Sequence, residues 1–163
     1  MTQTDSIKVG ADIAAPAAVF RLADNTDLDK LVELEQQIFG LEAWSLSTIR
    51  QLISRPDVEY TVAVLDSGEI VGFSLFLLED GTCFHIGNLG VVEEQRKRGL
   101  GRLLMERMLE RSRQLRASRV YLEVASHNHA ARSFYKKLGF IESGLSPAYY
   151  QDGSDAVIMD YPG

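Results

Sequence analysis

Three strand-like runs joined by two short turns constrain the fold of this chain more than any other feature. Tyr60 to Leu65 is apolar and β-branched, and Ile70 to Leu78 is a second run of the same kind. Asp66-Ser67-Gly68-Glu69 between them is a turn sequence, so the two runs read as a hairpin. Glu79-Asp80-Gly81 turns the chain again, into a third run over Thr82 to Val92. Links this short hold successive strands antiparallel, and the apolar sheet they make must be covered by other elements.

Helical periods on both sides supply the cover. Asp24 to Phe39 places Leu28, Leu31, Val32, Leu34, Ile38 and Phe39 at helical spacing, with Asn25 or Thr26 as the expected N-cap and Gly40 as the stop. Ser45 caps a short second helix carrying Leu46, Ile49, Leu52 and Ile53, which Pro56 ends. Beyond the third strand, Leu100, Leu103, Leu104, Met108, Leu109 and Leu115 mark a long amphipathic helix. Arg119 to Val124 is a strand, and Asn128 to Leu138 is a helix that Gly139 ends. Val19 to Leu22, Phe140 to Ser143 and Ala156 to Asp160 complete the strands. The order β-α-α-β-β-β-α-β-α-β-β predicts an α+β protein around one mixed, mostly antiparallel sheet.

A chain of 163 residues fits one domain with a sizeable core. On composition, residues 1 to 16 read as a mobile tail and 17 to 163 as a single domain. The N-terminal residues lack a basic start followed by an apolar core, and no apolar run approaches the ~20 residues that span a bilayer. A membrane partner is therefore not expected. Cys83 is the one cysteine, which rules out an internal disulfide and a Cys-rich metal site and suits a reducing cytoplasm. The net charge of −6 argues against nucleic acid as a direct partner. Yet nine of the 17 Lys and Arg residues lie between Arg96 and Arg119. Basic residues gathered around a glycine loop in an acidic protein point to a polyanionic ligand.

That loop is Arg96-Lys97-Arg98-Gly99-Leu100-Gly101, at the end of the third strand and the start of the long helix. The first turn of a helix has free backbone N–H groups and the positive end of the helix dipole. Glycines there let phosphate oxygens approach closely. The loop is neither a Walker A sequence nor a Gly-x-Gly-x-x-Gly fingerprint, because position 104 is Leu. Taken alone, the glycines serve a turn as readily as a ligand.

The segment Leu122-Glu123-Val124, Asn128-x-x-Ala131, Phe134-Tyr135, Leu138-Gly139-Phe140 adds chemistry. Glu123 lies between two apolar strand residues and so projects to the opposite sheet face from both. A carboxylate in such a strand needs a partner or a function, because burying it unpaired is costly. A structural pairing with one of the arginines remains open. His127 and His129 flank Asn128 without carboxylate or cysteine partners, so no metal site is expected there and both read as partly solvated. His85 reads as a core residue rather than a substrate-facing one.

Asn88-Leu89-Gly90-Val91-Val92 followed by Arg96-x-x-Gly99-x-Gly101, together with this segment, resembles the GNAT superfamily of N-acetyltransferases, and most closely its RimI-type protein N-terminal alanine acetyltransferases. The resemblance runs from about Val19 to Tyr161. It implies a mixed, mostly antiparallel sheet of six to seven strands flanked by about four helices. It implies acetyl-CoA as cofactor, leaving as coenzyme A. The main chain of Leu89, Gly90 and Val91 would hold the pantetheine arm, and Lys97, Arg98, Gly99, Leu100, Gly101 and Arg102 would surround the pyrophosphate. Asn128 would add a pantetheine contact to its role as a helix N-cap. Glu123 would be the general base or position a water, and Tyr135 would be the general acid.

Acetyl transfer to an amine needs the amine neutral, and a peptide α-amino group with a pKa of about 8 asks only for a carboxylate. The resemblance places the acceptor against Trp44, Tyr149 and Tyr150. Trp44-Ser45 and Tyr149-Tyr150 match the RimI-type pattern, whereas Glu42-Ala43 replaces its apolar-proline pair. It implies a protein or peptide N-terminus as partner, including a ribosomal protein, and a monomer or weak homodimer. A small amine or a lysine side chain as acceptor, and a non-catalytic acetyl-CoA-binding module, remain as alternatives.

Overall fold

A computed structural model describes residues 16 to 163. The expected N-terminal tail lies almost wholly outside the described residues. The chain forms β1 (Ala18–Leu22), α1 (Leu28–Phe39), α2 (Leu46–Ser54), β2 (Val58–Leu65), β3 (Ile70–Glu79), β4 (Cys83–Val91), α3 (Leu100–Gln114), β5 (Arg119–Ala125), α4 (His129–Lys137), β6 (Ile141–Ser146) and β7 (Ala156–Asp160). This is the element order that the sequence predicts. The seven strands make one sheet in the order β1-β2-β3-β4-β5-β7-β6. Every neighbouring pair is antiparallel except β4 and β5, which run parallel.

Strand alternation sends neighbouring residues to opposite faces. Leu75 packs with Leu31, Leu34 and Ile49 of α1 and α2, while Phe76 packs with Met105, Met108 and Leu109 of α3. The helix pair α1–α2 therefore covers one face and α3 the other. Leu100 and Leu104, from the first turns of α3, fill a smaller cluster against Ala63 and Val71. No helix among the described residues is long and apolar enough to cross a membrane.

Two local expectations need correction. The first helix is not capped by Asn25 or Thr26. Asp24 accepts from the Thr26 amide at 2.8 Å, and Asp27 accepts from the Asp24 amide at 2.9 Å, so a 3-10 turn precedes α1. Asp27 also takes both guanidinium nitrogens of Arg21, at 2.7 and 2.8 Å, and this pairing holds its carboxyl below the usual range. The strand expected over Phe140 to Ser143 runs instead from Ile141 to Ser146, because β7 pairs with it as far as Ser146↔Ala156. A bulge between Glu142 and Gly144 disguises its alternation in the sequence.

Gly90 shows how closely α1 rides on β4. A Cβ there would come within 2.6 Å of the buried Phe73 ring and 3.0 Å of Ile38. Gly90→Ala should therefore lower stability by about 1–3 kcal/mol through overpacking. Urea unfolding would measure this, and an unchanged midpoint would contradict the packing described.

Candidate active site

The site begins where two strands part. β4 and β5 pair only from Cys83↔Arg119 to Ile86↔Leu122. β4 then continues to Val91 with β3 on one side, through Val91↔Gly72, and no strand of the described residues on the other. A bulge between Leu75 and Phe76 sets the change at Gly87. The main chain of Leu89, Gly90 and Val91 thus borders an open cleft, as an extended ligand arm requires. The Val91 carbonyl accepts from Arg96 Nε at 3.0 Å, which ties the end of the strand to the loop beyond it.

The loop curls into α3 through left-handed backbone at Lys97 (φ 59°) and Gly99 (φ 85°). Gly99 is the N-cap residue and makes no side-chain cap, so the first N–H groups of the helix stay free of one. The basic side chains are partly engaged already: Arg98 donates to Gln95 at 2.7 Å and Arg102 to Glu106 at 2.7 Å. Lys97 is exposed. A Cβ on Gly101 would meet Phe134 at 3.7 Å and Val91 at 3.8 Å, which is ordinary contact. Packing therefore does not demand glycine at 101, whereas a phosphate approaching the helix amides does. Cleft, free amides and glycine together fit acetyl-CoA.

Glu123 lies one residue past the last paired position of β5, at the mouth of the parting. Leu122 and Val124 are buried in the α3–α4 cluster, so Glu123 faces the α1–α2 side. Its partner is not an arginine but His85 of β4, whose Nε2 lies 2.6 Å from Oε2. The sequence reading of His85 as core is therefore wrong. Phe84 and Ile86 are the core residues, and alternation turns His85 to the face that carries Glu123. The other ring nitrogen, Nδ1, lies 3.1 Å from Glu79, and Tyr121 donates to the same Glu79 carboxylate at 2.8 Å. Tyr121 also stacks on the imidazole, with ring centres 4.4 Å apart and planes 3° from parallel. Burial alone would lower the His85 pKa, but hydrogen bonds and charge from Glu123 and Glu79 outweigh it and raise it.

Tyr135 comes from α4, on the opposite face, packed edge-on to Phe134 and Phe140. Burial pushes its hydroxyl up to about 12. Asn128 caps α4 by accepting from the Ala131 amide at 3.1 Å, and the exposed His127 and His129 flank it.

The residues expected on the acceptor side come from two loops. Trp44 follows a 3-10 turn at Gly40–Glu42 and lays its indole over β4, within 3.6 Å of where a Gly87 Cβ would stand. Tyr149 and Tyr150 meet edge to face with centres 4.9 Å apart, in the β6–β7 link. Burial raises the Tyr150 pKa most, and the carboxylates of Glu123 and Glu42 add to it. Tyr150 therefore stands within electrostatic reach of Glu123. Glu42 accepts from the Gln151 amide at 2.8 Å and joins the two loops.

Sequence reasoning missed Glu79, Tyr121, Glu42 and the true position of His85. Period-2 alternation places His85, Tyr121 and Glu123 on one face, and that signal was available once the register of β4 against β5 was known.

Residues 28 to 140 match the model of the acetyltransferase (GNAT) family. The chain is 31% identical over 138 residues to N-alpha-acetyltransferase RimI of Mycobacterium tuberculosis, covering 82% of this chain and 85% of that one. Among solved structures, Ard1 from Thermoplasma volcanium superposes with a TM-score of 0.80 at 29% identity, covering 88% of this chain and 95% of that one. The ribosomal-protein-S18-alanine N-acetyltransferase from Escherichia coli gives 0.79 at 25% identity, covering 89% and 93%. A sheet parted beside a glycine loop, a carboxylate at the parting and these likenesses lead to one conclusion: the chain belongs to the acetyltransferase (GNAT) family and is an acetyl-CoA-dependent N-acetyltransferase.

Proposed function

We propose that the acceptor is the N-terminal α-amino group of a protein, with the N-terminal alanine of a ribosomal protein as the first candidate. One observation carries the reading: Glu123 faces the side on which Trp44 and the Tyr149–Tyr150 pair converge, and Glu42 bonded to Gln151 makes these two loops one wall. A wall of aromatic rings and exposed main chain suits an extended peptide end. The N-alpha-acetyltransferases among the relatives support it. We place the enzyme in the cytoplasm, acting as a monomer or weak homodimer.

In this reading the thioester of acetyl-CoA supplies the acetyl group, and the chain's own residues hold and move protons. The main chain of Leu89, Gly90 and Val91 lines the pantetheine path, with Asn128 beside it. The amides from Lys97 to Arg102, through Arg98, Gly99, Leu100 and Gly101, hold the pyrophosphate. His85 occupies Oε2 of Glu123 and leaves the other oxygen for the amine or for a bridging water. That oxygen takes the proton the amine sheds as its nitrogen bonds the acetyl carbon and the carbon–sulfur bond breaks. The departing thiolate is the conjugate base of an acid of pKa about 8.5. A tyrosine near 12 does not surrender its proton to so weak a base. Tyr135 therefore serves as a hydrogen-bond donor to the sulfur rather than a full acid.

The acidic residues Glu42, Glu79 and Glu123 around the slot support a second reading, with a small polyamine as acceptor. Peptides beginning with Ala, Ser or Met, assayed with acetyl-CoA beside spermidine, separate the two. α-Acetylated peptide is expected. Turnover of spermidine alone would transfer the assignment to small amines.

Glu123→Gln and Tyr135→Phe should each reduce kcat by about 100-fold with coenzyme A affinity retained. Full turnover in either variant would remove that residue from the mechanism. Histidine NMR titration provides an independent check. His85 should titrate above the ordinary 6.5 in the wild type and move down in Glu123→Gln, because the carboxylate holding the imidazolium is gone. An unmoved midpoint would show that the 2.6 Å contact does not hold in solution.

A further inference from the structure

Glu35 of α1 is fully buried, yet none of the ion pairs of the described residues involves it. Its carboxyl oxygens are divided between two elements. One accepts from the Trp44 amide at 3.2 Å, in the loop that reads the acceptor. The other takes the Asn88 side-chain amide, on β4. Asn88 in turn accepts from the Leu89 amide at 3.2 Å, in the stretch of main chain that borders the cofactor cleft. A single side chain thus joins the acceptor loop to the donor strand, reaching Asn88 across 53 residues of sequence from Glu35. Tyr60 of β2 also belongs to this buried group. It is 3% exposed, and its hydroxyl has no hydrogen-bond partner of normal geometry.

We propose that Glu35 is a positioning residue for acetyl transfer, holding the Trp44 loop in place against the cofactor strand through its bonds to Trp44 and Asn88. The inference rests on the reading of the Trp44 loop as an acceptor wall. β4 is hydrogen-bonded to β3 along its length, whereas the Trp44 loop has few other ties to the sheet. Loss of Glu35 therefore releases the acceptor side more than the donor side. A carboxylate held only by neutral donors also titrates within reach of neutral pH. Burial raises it to about 7, against opposing bonds from Trp44 and Asn88. The groups facing it are the Trp44 amide from the loop, the Tyr60 hydroxyl from β2 and the Asn88 amide from β4. β3 and α2 contribute the apolar Phe73, Leu75 and Ile49 to the surrounding cluster.

Trp44 is the one tryptophan of the chain, so its fluorescence reports this group directly. Emission of the wild type between pH 5.5 and 8.5 should titrate with a midpoint near 7, and Glu35→Gln should abolish the transition. Asn88→Ala removes one donor to the carboxylate, so its midpoint should lie above the wild type's. This arm stands even if Glu35→Gln fails to fold. Kinetically, Glu35→Gln should raise the peptide KM by about tenfold, the effect of one hydrogen bond to a charged group, with the coenzyme A Kd changed by less than about twofold. A merely structural residue would weaken both ligands together.

Parallel loss of both affinities, an unchanged peptide KM in folded Glu35→Gln, a titration that survives Glu35→Gln, or an unmoved midpoint in Asn88→Ala would each overturn the proposal. If the wild type acetylates no peptide, the acceptor reading fails, while the fluorescence titrations still decide whether Glu35 holds Trp44.

Discussion

The parting of β4 from β5 is the constraint on which the rest of the molecule depends. They are the one parallel pair in the sheet, so the chain must cross from the end of one to the start of the other. That crossover is the glycine loop and α3. The amides of the helix N-terminus therefore stand at the end of β4, next to main chain that has lost its second neighbour. A parallel pair that stayed zipped to Val91 would satisfy that backbone within the sheet and leave nothing for a ligand arm to pair with. Because it opens after Ile86, the two faces of the sheet communicate. Glu123 from the α1–α2 face and Tyr135 from the α3–α4 face flank this opening.

Two acids near this cleft solve the cost of burial in different ways. Glu123 sits against an imidazole flanked by a second carboxylate. Burial works against the charged ring, yet the two carboxylates together keep it protonated more readily than in water. Glu35 meets no cation among the described residues and relies on neutral donors, so burial prevails and its carboxyl moves up toward neutrality. The first arrangement keeps a charged group ready at the surface of a slot. The second ties the Trp44 loop and β4 to a common buried point.

Much of the fold was legible because it rests on short-range patterns. The three-strand run, the helical periods and the stops at Gly40 and Gly139 each reflect a few neighbouring residues, and the order of elements followed. Errors arose where distant residues met. The cap of the first helix shifted because Asp27 is shared between Asp24 and Arg21. The sixth strand lengthened because β7 inserts between it and β5. His85 was assigned to the core because the residues on either side of it belong there.

Composition, turn chemistry and the glycine loop were enough to establish an α+β sheet with a polyanion site, and the resemblance made that polyanion acetyl-CoA. Local periodicity carries that information, since each signal spans only a turn or a strand. The partner of Glu123 lies 38 residues away, that of Glu42 lies 109 away, and Glu35 reaches across 53 to Asn88. Those contacts follow from strand register and loop packing. A one-residue slip in register would send His85 into the core and leave Glu123 alone, so only the assembled sheet could assign them.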